Sequence, residues 1–331
     1  SDLPSLTGRF NFSSKGMSAM FDAPLDGDLE RIFIDPIMDT DNEYRSYKLT
    51  PEARQLAQQR FTKYAPKVMD VNRLFEPSVR AQKTGQPNTT QDSITYRLAM
   101  TANGEYTQYH GGTVADAMTE IVIMVNRLND IFEVELGVTL QLVDDNDQLI
   151  FTNATTDPFN NDSQDGDLNQ TVTDNRIGSD KYDIGHIVNT NGGGLAVLGA
   201  LCWDGYKADG ITGSSSPTND AFWVDFVAHE LGHQFGANHT FNATTGSCGG
   251  GNRESEAAYE VGAGTTIMSY AGICGEQNIT GQVDDYYHVH SLNEMAAEIE
   301  FARQNTPNCG IRIASQNTHP QANAGSDYII P

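Results

Sequence analysis

From residue 93 onward the sequence predicts an α/β (α+β) fold, and three observations carry this prediction. Runs rich in β-branched and aromatic residues, at 94–101 and 138–143, predict strands and alternate with stretches of helical spacing, and a further short strand is predicted at 149–151. The stretch 113–132 has an apolar stripe that repeats at that spacing, formed by Val114, Met118, Ile121, Val122, Val125, Leu128 and Phe132. Two further helices are predicted, one beginning near Asp220 and a C-terminal one at 291–304.

The charge of the chain is unevenly distributed. Residues 1–90 hold twelve Lys/Arg and twelve Asp/Glu, so 91–331 carry the whole net charge of −24. This shift predicts a boundary near residue 90 in a chain long enough for one large domain or two small ones. The excess of acidic residues in 91–331 excludes nucleic acid as a partner, because phosphate contacts need clustered Lys and Arg. No stretch approaches the roughly 18 apolar residues of a membrane span, so we expect none.

The first 90 residues are predicted to form a small unit of their own. Strands near Met20 and at 31–36 pair as a hairpin around 26–28, and residues 51–76 form a helix. The polar stretch 77–92 is the predicted linker. The sequence has no initiator methionine and no signal peptide, and we expect a processed chain.

A polar region and then a glycine-rich run precede the centre of the chain. Residues 153–181 are rich in Asn, Asp and Gly, which predicts a long surface loop, either solvated or ordered by Ca²⁺ through oxygen ligands. Strands follow at 184–188 and 195–198, and the second is predicted to be an edge strand beside a cleft. An exposed edge can bind a protein or peptide in extended conformation by β-augmentation, which makes such a substrate the expected partner.

The most informative stretch runs from His229 to His239 and reads HExxHxxGxxH. On a helix, His229 and His233 project from one face and reach one metal ion. Glu230 is placed to hold a metal-bound water. Gly236 can adopt a left-handed backbone that ends the helix, so that His239 returns as the third ligand. Three protein ligands leave a fourth position open, which is typical of a catalytic Zn²⁺ site.

A second element follows about thirty residues later, in Thr266-Ile267-Met268-Ser269-Tyr270. The extended zinc motif followed by a methionine in a tight turn resembles the metzincin clan of zinc endopeptidases. This resemblance implies a catalytic domain with a twisted mixed sheet, an active-site helix, a Met-turn and a C-terminal helix. It also implies that Met268 forms a hydrophobic floor beneath the metal. Taken alone, Met268 would be an ordinary core methionine.

Within the clan the chain is similar to the reprolysin (adamalysin-like) group and its secreted bacterial relatives. The segments that carry this likeness are 96–100, 182–186 and 194–202, and the resemblance covers roughly residues 91–312. Two positions depart from the group. Reprolysins typically have Asp where this chain has Thr240, and their Met-turn usually continues to Pro. Tyr270 is instead similar to the tyrosine of astacins and serralysins, which implies a catalytic role in stabilising the transition state.

Cysteine usage predicts an extracellular protein. The four cysteines allow two disulfides in three connectivities, and a cysteine zinc site is disfavoured because CxxC spacing is absent. The resemblance to reprolysins implies the pairs Cys202–Cys309 and Cys248–Cys274. We therefore expect a secreted monomer.

The resemblance also implies a domain organisation. Residues 1–90 resemble the end of a prosegment plus linker, 91–312 the catalytic domain, and 313–331 a linker and the start of an immunoglobulin-like domain, so we expect the natural chain to continue past Pro331. A prosegment would inhibit the enzyme intramolecularly. Because residues 1–201 contain no cysteine, it cannot do so through a thiolate. An N-terminal accessory domain is the alternative.

The sequence thus predicts a zinc metalloendopeptidase in which Glu230 is the general base for a metal-activated water. The alternatives are a latent zymogen and a catalytically silent, metal-stabilised binding module, and the presence of Glu230 disfavours the second. The full motif disfavours a zinc amidase or deaminase. The other histidines, His110, His186, His288 and His290, are expected to cap or pack rather than bind metal.

Overall fold

The computed structural model describes residues 7–13, 16–25, 28–36, 44–47, 67–69, 93–191 and 193–314. The predicted linker 77–92, most of the predicted helix 51–76 and the tail from residue 315 lie outside the described residues. Two sheets are formed within the described part, one of four strands and one of seven.

The N-terminal sheet is an antiparallel meander of β1 (Thr7–Ser13), β2 (Gly16–Leu25), β3 (Asp28–Pro36) and β4 (Tyr44–Tyr47), in that order. Strands β2 and β3 form a hairpin in which Leu25 pairs with Asp28 and Phe21 with Ile32. The predicted hairpin around 26–28 is therefore confirmed.

The larger sheet is mixed, as expected for an α+β fold. Its strands are β5 (Lys67–Met69), β6 (Ser93–Ala102), β7 (Val138–Leu142), β8 (Ile184–Asn189), β9 (Gly193–Val197), β10 (Gly210–Gly213) and β11 (Ile311–Ile313). Strands β7, β6, β8 and β10 are parallel neighbours, β9 is antiparallel to β10, and β11 is antiparallel to the start of β6. The outer side of β9 pairs in parallel with β5.

Helix α1 (Gly104–Tyr109) and helix α2 (Val114–Leu136) follow β6. Thr113 caps the start of α2 by accepting a hydrogen bond from the backbone N–H of Asp116, and Gly137 ends it in the left-handed region with a φ of 66°. Most of the predicted apolar stripe of α2 packs in or against the main core, where Ile121, Leu128 and Phe132 are fully covered. Val122, predicted as part of the stripe, is exposed, because it lies one position further round the helix than Ile121. Burial of each such side chain contributes about 1.5–3 kcal/mol. The predicted helix is confirmed and extends one turn further.

Helix α3 (Asp165–Ile177) corrects the prediction of a long loop at 153–181. Its buried face is largely polar, so the sequence contains no apolar stripe that would predict the helix. Asn169 donates from its amide to the carbonyl of Ala208 at 2.8 Å, and Gln170 accepts from the backbone N–H of Ala208 at 2.7 Å. Because these hydrogen bonds are made to a distant segment, tertiary contacts rather than local pattern stabilise the helix.

Three smaller expectations are also corrected. Residues 67–69 form strand β5 rather than part of a helix, because their backbone pairs with β9. This pairing covers the edge that we expected to be exposed. The stretch 149–151 is not a strand: Asn146–Leu149 form a 3-10 turn, and Ile150 makes only an isolated bridge to Ala102.

The helix that carries the zinc motif, α4, runs in three segments: α-helical Asp220–Phe222, π-helical Trp223–Ala228 and α-helical His229–Gln234. The predicted helix beginning near Asp220 is confirmed, but the π-helical middle was not expected, and every residue of α4 is buried. π-Helical turns occur frequently at functional sites. The C-terminal helix α5 (Val289–Asn305) agrees with the prediction within two residues at each end.

Covalent and ionic links hold these elements together. Disulfides join Cys202 to Cys309 and Cys248 to Cys274, the pairs that the resemblance implies. The buried guanidinium of Arg127 on α2 binds Asp220 at the start of α4 at 2.8 Å and Asp285 before α5 at 2.8 Å.

No helix in the described part of the chain combines the length and the apolar run that crossing a bilayer requires.

Candidate metal centre

The three histidines of the motif converge on one point. His229 and His233 lie one turn apart on α4, and Gly236, with a φ of 96°, turns the chain so that His239 comes back towards them. The Nε2 atom of His239 lies 3.1 Å from the Nε2 of His233 and 3.1 Å from the Nε2 of His229. All three side chains are buried.

The opposite ring nitrogens are held by the backbone. The Nδ1 atoms of His229, His233 and His239 lie 2.7 Å from the carbonyl oxygens of Ile267, Ala237 and Asn252, respectively. A carbonyl can only accept, so each Nδ1 donates, and each Nε2 presents its lone pair to the centre. Burial lowers the pKa of His229 to about 4 and holds the pKa of His233 and of His239 well below the usual value. The neutral imidazole that binds metal is therefore the favoured form.

These residues fit Zn²⁺. A tetrahedral zinc ion about 2.0–2.1 Å from each nitrogen separates its ligand nitrogens by about 3.3 Å, close to the Nε2 distances found here. Within the described residues this triad is the one group of three or more His, Cys, Asp or Glu side chains whose ligand atoms converge. No second group of this kind in the described residues supports the predicted Ca²⁺ site, which stays a prediction.

Glu230 places a carboxylate beside the triad. The side chain is fully buried, and neither carboxylate oxygen has a hydrogen-bond partner within the described protein. Burial raises its pKa well above the usual value. An unpartnered buried carboxylate is costly, so this group is suited to a polar molecule held at the metal.

A glycine makes room for that carboxylate. A Cβ atom on Gly194, in strand β9, would overlap Oε1 of Glu230. Strand β9 therefore passes directly beside the metal centre, as the sequence predicted. The importance of Gly194 was missed, although the glycine-rich run 192–194 was a visible signal.

Met268 lies beneath the motif helix. Its side chain is fully buried, and its Sδ is 2.5 Å from the place where a Cβ on Gly232 would stand. Its carbonyl accepts a hydrogen bond from the backbone N–H of Thr240 at 3.1 Å. The structure thus brings the predicted Met-turn residue against the helix between His229 and His233.

Tyr270 also joins the group. Its buried ring lies 4.5 Å from the ring of His239 and 5.7 Å from that of His229, measured between centroids, and it packs on Phe241 at 4.6 Å. Burial, followed by the nearby charge of Glu230, raises the pKa of the Tyr270 hydroxyl well above its usual value. The hydroxyl therefore keeps its proton at neutral pH and can donate a hydrogen bond.

The remaining histidines have structural partners, as expected. His186 is fully buried between the amide oxygen of Gln234, 2.9 Å from its Nδ1, and the hydroxyl of Thr212, 2.8 Å from its Nε2. His288 caps α5 by accepting from the backbone N–H of His290 at 3.1 Å. His110 packs on the ring of Tyr106 with 4.4 Å between centroids.

One acidic residue near the centre was missed entirely. The carboxylate of Glu260 accepts hydrogen bonds from Thr240, the neighbour of His239, and from Thr265 and Thr266, which precede the Met-turn. No motif spacing predicts the contact with Thr240, because Glu260 lies 20 residues further along the chain.

A mixed sheet, a buried HExxHxxGxxH helix and a methionine turn under three converging histidines define a metzincin-type zinc peptidase. Residues 92–297 match the reprolysin-like metallopeptidase family M12B, and the chain belongs to this family. It is a zinc metalloendopeptidase, a hydrolase of peptide bonds. No curated protein matches the chain.

Proposed function

We propose that this protein is a secreted endopeptidase that cleaves extended polypeptides, with Glu230 as its general base. The observation that carries the proposal is the position of the Glu230 carboxylate, buried without a protein partner beside three convergent Nε2 atoms. Secretion is supported by the two disulfides, which persist in oxidising compartments. We expect a monomer.

The chemistry divides between the ion and the protein. When bound, zinc supplies a Lewis acid that acidifies a coordinated water and polarises the scissile carbonyl. Glu230 accepts the proton of the attacking water and delivers it to the leaving amine. The Tyr270 hydroxyl, beside His239, donates a hydrogen bond to the oxygen that becomes negative during the attack. The carbonyls that accept the Nδ1 protons fix the tautomer of the three histidines, and burial keeps the imidazoles neutral by lowering their pKa.

Substrate binding is assigned to strand β9. This strand is hydrogen-bonded to β10 on its inner side, and Gly194 contacts Glu230. A polypeptide added along the outer side of β9 would be held extended by backbone hydrogen bonds, with its scissile bond next to the carboxylate. Hydrogen bonds to the substrate backbone do not distinguish one substrate side chain from another, so the surrounding loops must supply the specificity.

The N-terminal region occupies the same side of β9, which supports a role for this region in keeping the enzyme latent. Strand β5 pairs with the outer side of β9, with Lys67 opposite Leu195 and Met69 opposite Val197. A substrate strand and β5 would compete for the same backbone groups. We therefore propose that residues 1–90 act as a prosegment whose removal exposes β9.

The proposal is tested with Glu230→Ala, using Glu256→Ala on an exposed loop as the matched control. Both variants and the parent chain are assayed on a peptide library after N-terminal processing, and their zinc content is measured. Glu230→Ala is expected to keep one zinc and lose about 10²–10⁴-fold in turnover. Turnover retained by a zinc-loaded Glu230→Ala protein would refute the role. Absence of turnover in the processed parent would favour the silent binding module.

A further inference from the structure

Thr240 stands directly after the third histidine, where reprolysins typically have an aspartate. The place beside Thr240 is nevertheless occupied by a carboxylate in this structure, that of Glu260, and the Thr240 hydroxyl donates to its Oε2. The two residues are also tied through the backbone, since the N–H of Glu260 donates to the carbonyl of Thr240 at 2.8 Å. The carboxylate has come from a point 20 residues further along the chain.

The other side of the Glu260 carboxylate holds the entry to the Met-turn. Its Oε1 accepts from the backbone N–H groups of Thr265 at 2.8 Å and Thr266 at 3.1 Å, and its Oε2 accepts from the Thr266 hydroxyl at 2.7 Å. Room for the group is provided by Gly264, where a Cβ would lie 2.9 Å from the carboxyl carbon. Four donors on one carboxylate form a charge-assisted cluster, which is stronger than the same contacts to a neutral acceptor.

Two of the three donor residues, Thr240 and Thr266, are neighbours of groups that form the metal site. Thr240 follows His239, and Thr266 precedes Ile267, whose carbonyl accepts from the Nδ1 of His229 at 2.7 Å. The carboxylate therefore fixes the separation between the loop that carries one ligand and the turn that orients another. The Met-turn continues from Thr266 to Met268 under the motif helix.

We infer that Glu260 is the positioning residue of this metal centre, supplying from a separate loop the carboxylate that reprolysins carry after their third histidine. It does not reach the metal and acts through Thr240 and Ile267. The inference rests on the proposed zinc site. Groups that hydrogen-bond a ligand directly change metal affinity by about 10–100-fold when removed, and Glu260 acts one contact further out.

The test measures the rate at which zinc passes from the full chain to a chromogenic chelator, a readout independent of peptidase activity. Glu260→Ala is expected to release zinc about 10-fold faster than the parent, at the lower end of the range for direct partners of a ligand, and Glu260→Gln to lie between them because an amide keeps one acceptor. Glu256→Gln, on the same loop but exposed, is the control and should release zinc at the parental rate.

Relocation of the carboxylate separates positioning from general destabilisation. Thr240→Asp alone places two carboxylates together and should speed zinc release, whereas Thr240→Asp with Glu260→Ala restores a single carboxylate and should return the rate towards that of the parent. If Glu260→Ala does not fold, Glu260→Gln and the double variant carry the test.

The inference is overturned if Glu260→Gln releases zinc at the parental rate, or if the double variant releases it no more slowly than Thr240→Asp alone. A parent chain that binds no zinc would instead refute the metal site itself, so the two failures are distinguishable.

Discussion

The carboxylate of Glu230 lies against the backbone of Gly194, at the place that any larger residue would fill with its Cβ. This contact joins the motif helix to the strand that we assign to the substrate. Gly194→Ala is therefore expected to push the carboxylate or the strand aside and to lower turnover by at least about 10²-fold, because displacement of a catalytic group by about 1 Å is costly. The histidines are not touched, so zinc content should be unchanged. Parental kinetics in the alanine variant would contradict the assigned contact.

Gly232 is also expected not to tolerate a larger residue, for a different reason. An alanine there would place its Cβ 2.5 Å from Met268 Sδ and 3.1 Å from a ring carbon of Tyr287. Overpacking of this kind costs about 1–3 kcal/mol, more than the 0.5–1 kcal/mol that alanine gains over glycine in a helix. Thermal unfolding of Gly232→Ala should show the loss. Met268→Ala also destabilises by leaving a cavity, so the test is a double-mutant cycle in which the two losses should be less than additive. Additive losses would place the clash elsewhere.

Tyr270→Phe tests the proposed role of the hydroxyl. Removal of one donor to a developing oxyanion typically lowers kcat by about 10²–10³-fold. The ring contacts with His239 and Phe241 are retained by phenylalanine, so zinc content and thermal stability should change little. Steady-state kinetics on the processed enzyme give the answer, and an unchanged kcat would remove Tyr270 from the mechanism.

Latency can be tested in the pairing of β5 with β9. Successive N–H groups of a strand point to opposite sides, so only one of Lys67 and Val68 directs its N–H towards β9. Lys67→Pro and Val68→Pro are therefore a matched pair, in which one variant loses a ladder hydrogen bond and the other keeps it. We expect one of the two unprocessed chains to gain activity on a fluorogenic peptide. Equal activity in both, at the level of the unprocessed parent, would count against occlusion of β9.

Asp209 predicts a pH dependence of stability. Burial, together with the negative charge of Asp167, raises the pKa of Asp209 from 3.8 to about 7. Between these values the folded chain binds more protons than the unfolded chain, so the stability contributed by protonated Asp209 is present below pH 3.8 and is lost as pH rises to about 7.

Asp209→Asn removes this titration. Its Tm should exceed that of the parent at pH 7.5, and the difference should shrink towards pH 4. An effect of about 1 kcal/mol corresponds to about 2–4 °C in a domain of this size. Asp144→Asn, at an exposed site, is the matched control for the loss of one negative charge. A difference for Asp209→Asn that does not change with pH would show that Asp209 has an ordinary pKa.

The sequence was most informative where function is encoded locally. The spacing of His229, Glu230 and His233 places all three on one turn of helix, and Gly236 supplies the backbone that returns His239. The stripe on α2 likewise needs only helical periodicity and burial, and both follow from residue order.

It was least informative where polar groups find distant partners. Helix α3 is stabilised by Asn169 and Gln170 bonded to Ala208, and its composition alone resembles that of a loop. Strand β5 exists because β9 offers it an unpaired edge. Hydrogen bonds between segments far apart in sequence produce no periodic pattern in the order of residues.

The residue order by itself predicted the histidine triad, the proposed general base and the class of enzyme, because these depend on groups a few residues apart in the sequence. Only the tertiary structure decided which backbone carbonyls hold the imidazoles, which carboxylate stands beside Thr240 and what covers the edge of β9. Those are matters of distance between separate loops and strands, and packing of the whole domain sets such distances.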